Sequence, residues 1–353
     1  MARPRIVFWP HATGLAVASY RIRCAQVRAG LAAAGVPTGL WRRGGGPLAA
    51  APDLLVLSKL TRPEALARAL ALKRDHGTRL VVDLCDNVFF GAEAPERRER
   101  ARALATALDG VDAVVTPSLF LMEAVAAHLR PSMRFAVIPD AVEAVPQPGL
   151  PRLALEARAF RALGAMEADL GAAGVAEGRR LVWFGISGTR RAQNGLADLA
   201  AFAPMLEAHD VEAPITLTVV TDSRPRYEET FGRSPIRTRF LAWNLWTFDS
   251  CLAAHDIAVL PVRPNPYNLA KSANRMTTAF ARGLAVAASA IPSYEPFRSV
   301  AVLDDFGAGL GRLMRSGAER RRRVEGARAI IEADYRLASV VGKWRALIGE
   351  LLG

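Results

Sequence analysis

The sequence predicts an α/β protein built of two doubly wound parallel-sheet domains that face each other across a cleft. Three observations predict it. Short, continuously apolar runs of strand length alternate with helix-period segments along the whole chain, the pattern of β–α–β units whose sheet is covered on both faces. A connector punctuated by Pro and Gly, AVPQPGLPR (Ala144–Arg152), interrupts that alternation near the middle. The length, 353 residues, exceeds what one ordinary core organises.

Taken in order, the first domain (residues 1–145) has strand-like runs at Arg5–Trp9, Asp53–Leu57, Arg79–Asp83, Val111–Thr116 and Phe135–Ile138. Between them lie amphipathic segments at Ala18–Ala34, Pro63–His76, Pro95–Leu108 and Ser118–Leu129. Alternation resumes in the second domain (residues 146–333), with strands at Arg180–Phe184, Ile215–Val220, Arg237–Leu241, Ile257–Leu260, Ala285–Ala288 and Val300–Leu303. The chain is helical from Ala318 onward with a break near Asp334–Tyr335, so residues 334–353 form a C-terminal helix that can cross back to the first domain.

Composition narrows the function classes. The chain is 51% hydrophobic and 23% charged, which is globular and not disordered. No apolar run reaches the ~18–20 residues of a membrane span. The N-terminus, MARPRIVFW, passes straight into a strand without a secretory h-region. Cys24, Cys85 and Cys251 are far apart and set among apolar residues, which reads as reduced core thiols of a cytoplasmic protein, with no disulfide framework or metal site. The net charge of +12 is almost wholly arginine, since lysine occurs only at 59, 73, 271 and 343. An Ala- and Arg-rich chain of this kind can reflect base composition; the functional readings are an anionic substrate, a lipid surface or nucleic acid. No aromatic–basic interleaving supports nucleic acid. The run Arg320–Arg323 reads as the solvated face of a helix, with a membrane-surface patch as the alternative.

The loops that follow strands are where such sheets bind ligands. The most informative is Asp256–Ser289, in which a strand leads through a Pro- and Asn-rich loop to a helix expected to open with Lys271, Ser272, Asn274 and Arg275 and to end at Gly283. A helix N-terminus carrying two cations and two polar side chains suits a phosphate. After LVWFG comes GISGTRRAQNG, where Gly185 and Gly188 let backbone approach phosphate and Ser187, Thr189, Arg190 and Arg191 supply donors and charge, unless the arginines are merely solvated. In FLAWNLWTFDS, Trp243, Asn244 and Leu245 can flank a flat ring, while Trp246 and Phe248 read as core.

In the first half, His11 stands directly after the first strand and is the one histidine placed for proton transfer. Gly14 allows close approach, Ser19 can cap the following helix, and Tyr20, Arg21 and Arg23 add polar reach; an ordinary strand–helix turn explains them equally. Asp83 and Asp86 follow an apolar strand, where one can orient a hydroxyl or act as a base; the alternative is that Asp86 and Asn87 cap the turn. Neither a GxGxxG fingerprint nor a metal-spaced histidine cluster occurs, so no nicotinamide, flavin or metal cofactor is expected.

With those residues in place, the chain resembles the GT-B glycosyltransferases, whose two domains are Rossmann-like, and in particular the retaining group 1 or family 4 enzymes. VDAVVTPSLFLMEAV with FAVIPDAVE, LVWFGISGTRRAQNG, AWNLWTFDSCLAAHDIAVLP and KSANRMTTAFARGLAVAAS carry the likeness. Three departures stand out, the first being that GISGTRRAQNG has no lysine to match the Gly-Arg-…-Lys-Gly loop of those enzymes. Asp140 and Ala141 replace an Asn-Gly pair, and Ala270 and Thr278 occupy the positions of the Glu-x7-Glu carboxylates, a Lys-Ser-x-Asn-Arg variant of that helix.

The resemblance implies a cytoplasmic bacterial enzyme that moves a sugar from a nucleotide-diphosphate donor to an acceptor hydroxyl, with retention and without metal. It implies a donor base near Trp243–Leu245 and a diphosphate between Ser187–Arg191 and Lys271–Ser272, with Gly185, Asn274, Arg275 and Thr278 among the donor-binding residues. Lys271 and Arg190 would stabilise the leaving diphosphate. A glycan, lipid-linked or protein acceptor would enter near His11, Gly14, Ser19, Tyr20, Asp86 and Asn87. The basic surface is compatible with peripheral contact at the inner membrane face. The rival readings are a non-catalytic nucleotide-sugar or glycan binder, and another nucleotide-sugar enzyme such as an epimerase or heptosyl-type transferase.

Overall fold

Runs of Val, Ile and Leu bounded by turn residues form parallel strands throughout the computed structural model, which describes residues 4–42, 50–91, 94–144, 149–188 and 194–353. The chain divides into two units. Unit 1 comprises Met1–Glu143, Asn265–Ala273 and Ala333–Gly353; unit 2 comprises Ala144–Pro264 and Asn274–Glu332. Among the described residues, no helix is long and apolar enough to cross a membrane.

Unit 1 contains β1 (Ile6–Pro10), β2 (Thr38–Leu40), β3 (Leu54–Ser58), β4 (Arg79–Asp83), β5 (Ala113–Thr116) and β6 (Arg134–Val137). They form one parallel sheet in the order β2-β1-β3-β4-β5-β6, with Ile6 opposite Leu54 and Val56 opposite Val81. Successive side chains alternate between its faces. Val7, Leu55, Leu57, Leu80 and Val82 enter one core with Leu66 and Leu104 of the helices Pro63–His76 and Pro95–Leu108. Ile6, Phe8, Leu54, Val56 and Val81 enter the other. That second core is covered by Gln26–Ala33 and by the C-terminal helix Leu337–Leu352, which brings in Val340, Val341, Trp344, Leu347 and Ile348. The two covering helices meet at Gly30, where an added Cβ would overlap Val341.

Unit 2 contains β7 (Arg180–Phe184), β8 (Thr216–Thr221), β9 (Arg237–Ala242), β10 (Ile257–Leu260), β11 (Ala285–Ala288) and β12 (Val302–Leu303). The order β12-β11-β10-β7-β8-β9 is again wholly parallel. Counted in order of appearance from β9, this is the 3-2-1-4-5-6 winding of Rossmann sheets, with its switch point between β7 and β10. Leu181, Trp183, Leu217, Val219, Ile257 and Val259 pack with Leu199 and Leu206 of the helix Leu196–Glu212.

Several boundaries differ from the sequence expectation. The edge strand β2 holds three residues including Gly39, too few and too weakly apolar to register as a strand. The strand expected from Val300 begins at Val302, because Ala301 N bonds back to Phe297 O at 2.7 Å in a turn. The helix expected at Ala18–Ala34 contains a π-turn at Arg21–Ala25, and the break near Asp334 is another, Ile331–Tyr335. Part of the Ala144–Arg152 connector lies outside the described residues, and a short helix, Leu150–Leu155, starts within the rest of it.

Candidate functional site

The glycine loop after β7 sits at the switch point of unit 2. Gly185 N bonds to Val220 O at 3.1 Å, and Ser187 N donates to Asp222 Oδ1 at 2.6 Å, so the first half of the loop is tied to the neighbouring strand. Gly188 and Gly195 have φ of +74° and +70°, and an added Cβ at either would overlap loop backbone. Asp198, in the first turn of the helix Leu196–Glu212, accepts from Gly195 N at 3.1 Å and pairs with Arg263 Nε at 3.2 Å, linking the loops after β7 and β10.

Arg275 completes this edge. It belongs to the helix Asn274–Ala281, and its guanidinium lies 5.2 Å from the Trp183 ring centroid and 5.6 Å from that of Phe184. A Cβ on Gly185 would stand 3.7 Å from the guanidinium carbon, so the absent side chain leaves the loop backbone beside the cation. Nε and Nη2 of Arg275 and Nδ2 of Asn274 are buried and have no hydrogen-bond partner among the described residues. Burial pulls the guanidinium below its ordinary pKa, opposed by Tyr294 and Asp198. A buried cation with unfilled donors is costly unless an anion completes it.

Unit 1 gathers a second polar cluster at the carboxyl ends of β1, β3 and β4. Lys59 follows β3 with a φ of +53°, its N bonded to Asp83 O at 2.8 Å. Its ammonium lies 2.6 Å from Asp86 Oδ2, while Lys271 Nζ lies 2.5 Å from Asp86 Oδ1. Tyr267 OH donates to the same carboxylate at 3.3 Å, and the Lys271 ammonium sits 3.9 Å from the Tyr267 ring centroid. Burial alone would raise the Asp86 pKa, but Lys271 and Lys59 outweigh it and hold the carboxyl down at about 2. Burial pulls the Lys271 ammonium down, and Asp86 carries it back above its ordinary value. Deeper in, Arg23 bridges Asp83 and Asp140, and Asp140 Oδ2 accepts from Ser272 Oγ at 2.6 Å.

No protein-family model matches the chain, and no curated protein matches it. Solved structures do. HepE of Anabaena in complex with UDP superposes with a TM-score of 0.67 at 14% identity, covering 98% of this chain and 100% of that one. Sucrose-phosphate synthase of Thermosynechococcus elongatus gives 0.69 at 15% identity over 98% and 99%. WaaG, a glycosyltransferase involved in lipopolysaccharide biosynthesis, gives 0.62 at 15% over 97% and 99%. The fold is GT-B.

On this GT-B scaffold the expected site residues divide. The helix expected to open at Lys271 opens at Asn274, because Lys271 and Ser272 are held in unit 1 by Asp86 and Asp140. Lys271 therefore does not stand on the helix N-terminus. Asp86 is a doubly paired carboxylate and no base at neutral pH. Asp83 is likewise committed, to Arg23. Ser19 caps nothing; it lies within the helix Ala18–Tyr20, whose N-cap is Val17. Tyr20 is buried in the core, and Arg21 pairs with Glu143. Asn87 caps its turn, accepting from Phe89 N at 3.2 Å. An added Cβ on Gly14 would meet only Val17, at 3.9 Å, so nothing in the described structure requires glycine there.

His11 stays at the carboxyl end of β1, its imidazole held below its usual pKa by burial and by Lys59, so it is neutral at pH 7. Trp243 is half-buried 6.2 Å from Phe248, Asn244 donates to Glu156 at 2.9 Å, and Leu245 is buried. Thr278 is buried on the Arg275 helix, and Ala270 is buried in the unit 1 core. Thr189, Arg190 and Arg191 lie outside the described residues. Sequence reasoning missed Lys59, Asp198 and Arg263. Lys59 left one trace, as one of only four lysines, placed directly after a buried strand.

Proposed function

We propose that this chain is a glycosyltransferase that takes a nucleotide-diphosphate sugar, with the donor diphosphate lying in unit 2 against Arg275 and the Gly185–Gly188 turn. The unfilled, buried donors of Arg275 and Asn274 beside a glycine loop carry the reading. It is supported by the fold shared with HepE, which was solved with UDP, and with the glycosyltransferase WaaG. In this reading Trp243 faces the nucleotide base, and Asn274 and Arg275 hold the phosphates.

Transfer breaks the bond from the sugar's anomeric carbon to the diphosphate oxygen, which leaves with the electron pair, and forms one to the acceptor hydroxyl oxygen. Arg275 stabilises the charge that grows on the departing oxygen. In this reading the departing diphosphate oxygen takes the hydroxyl proton, a route that goes with retention. Fixed cations and helix N–H groups are the means by which such a site can work without metal.

Calorimetry of UDP against the native protein and Arg275→Gln tests the site. Loss of charge-assisted hydrogen bonds, about 1.5–3 kcal/mol, should weaken UDP roughly ten- to a hundredfold. Equal affinities would remove the diphosphate from Arg275. Release of UDP from UDP-sugars in EDTA, with NMR of the product's anomeric proton, tests metal independence and retention. A second reading, a nucleotide-sugar binder without turnover, is favoured by Ala270 and Thr278 standing where carboxylates would be. It is separated by UDP binding with no UDP release.

A further inference from the structure

We propose that unit 1 holds a separate anion site, built on Lys59 and Lys271, that takes a phosphoryl group on the acceptor. The word acceptor rests on the glycosyl-transfer reading; the site itself does not. Both ammonium groups converge on one carboxylate, Asp86, and each lysine side chain remains 36% exposed. An ammonium has three N–H donors, so each lysine keeps donors beyond the one facing Asp86.

The local charge is unbalanced. Arg62 also acts on His11 alongside Lys59, and Asp86 is the anion opposing them there. A purely structural ion pair would need one lysine. Here a second is brought in from the segment Asn265–Ala273, and the first is held with a φ of +53°, a conformation that disfavours any side chain. Lysine itself is informative in this chain. Arginine outnumbers it by 42 to 4 (46 cations less the lysines at 59, 73, 271 and 343), yet two of the four meet here. A planar guanidinium fork matches a carboxylate, whereas compact ammonium groups surround a tetrahedral dianion as point charges. The carboxyl ends of β1 and β3 are also where the strand order of this sheet reverses, the place where open α/β sheets bind ligands.

Calorimetry at saturating UDP, which fills the donor site, tests this with glucose 6-phosphate, glucose, glucuronate and micellar farnesyl diphosphate. We expect glucose 6-phosphate or farnesyl diphosphate to bind, the pair distinguishing a soluble from a lipid-linked phosphoryl group, with glucose and glucuronate at least about tenfold weaker. Lys59→Met and Lys271→Met should each weaken the phosphorylated probe about tenfold or more. Lys59→Arg, which keeps Asp86 paired, should weaken it too, and Lys73→Met, at the remote pair with Asp112, should not. Thermal melting checks that each variant is folded. The proposal is overturned if neither phosphorylated probe binds, if glucuronate binds as well as glucose 6-phosphate, or if folded Lys59→Met or Lys59→Arg binds like the native protein. Should UDP itself fail to bind, the donor reading falls, and the same titrations without UDP decide the anion site.

Discussion

At neutral pH the Asp86 carboxylate holds two ammonium groups together, and its protonation behaviour shows how much that matters. Its pKa of about 2 in the folded protein lies below the ordinary carboxylate value near 3.9, so the stabilisation is present above about pH 4 and is lost as pH falls toward 2. The shift corresponds to about 2 kcal/mol. Asp86→Asn should therefore lower the urea-unfolding free energy at pH 7 by about that amount, and by roughly half of it at pH 3; an equal loss at both would show that charge is not the cause. Little of this was legible in the sequence. A lone lysine after a strand reads as solvated, and its left-handed backbone has no sequence signature. Asp86 was visible as a polar residue in the right loop, but its partners come from 27 residues before it and 185 after it.

The glycine loop after β7 was legible as an element, because Gly, Ser and Thr follow a buried strand directly. Its mechanics were not. Gly188 and Gly195 adopt positive φ, and a side chain at either would collide with backbone of the same loop. Gly188→Ala and Gly195→Ala should each destabilise by about 1–2 kcal/mol or more and should weaken UDP binding together with the melting temperature. Unchanged UDP affinity would place the nucleotide elsewhere. The helix after β10 shows why boundaries escape a sequence reading. KSANR can start a helix at any of its first residues; here the bonds Lys271–Asp86 and Ser272–Asp140, with Ala270 in the unit 1 core, accompany a helix that starts only at Asn274. That three-residue shift puts Arg275, and not Lys271, in the first turn of the helix.

Over the whole molecule the strand pattern carried the fold. The stretches Leu54–Leu57 and Leu80–Val82 are continuously apolar because both faces of the parallel sheet are covered. The covering elements were harder to assign, since a helix's apolar stripe does not say which sheet it meets. Trp344 is buried against Phe8 with ring centroids 5.7 Å apart. Trp344→Ala should cost about 3–5 kcal/mol and loosen unit 1, as read by urea melts and by hydrogen exchange along β1 and β3. Protection unchanged in those strands would mean the helix contributes little to that core.

Because Ala333–Gly353 supplies one wall of the first sheet, the polypeptide cannot be divided into two self-sufficient halves at the proline-rich connector. A fragment ending at Glu143 would keep the cover of Gln26–Ala33 but bare the part of the Ile6–Phe8–Val56 face that Val340, Trp344 and Ile348 occupy, and should precipitate. A synthetic peptide of Ala333–Gly353 added during refolding should rescue it, so a segment almost two hundred positions downstream of Glu143 completes the core that β1 and β3 begin.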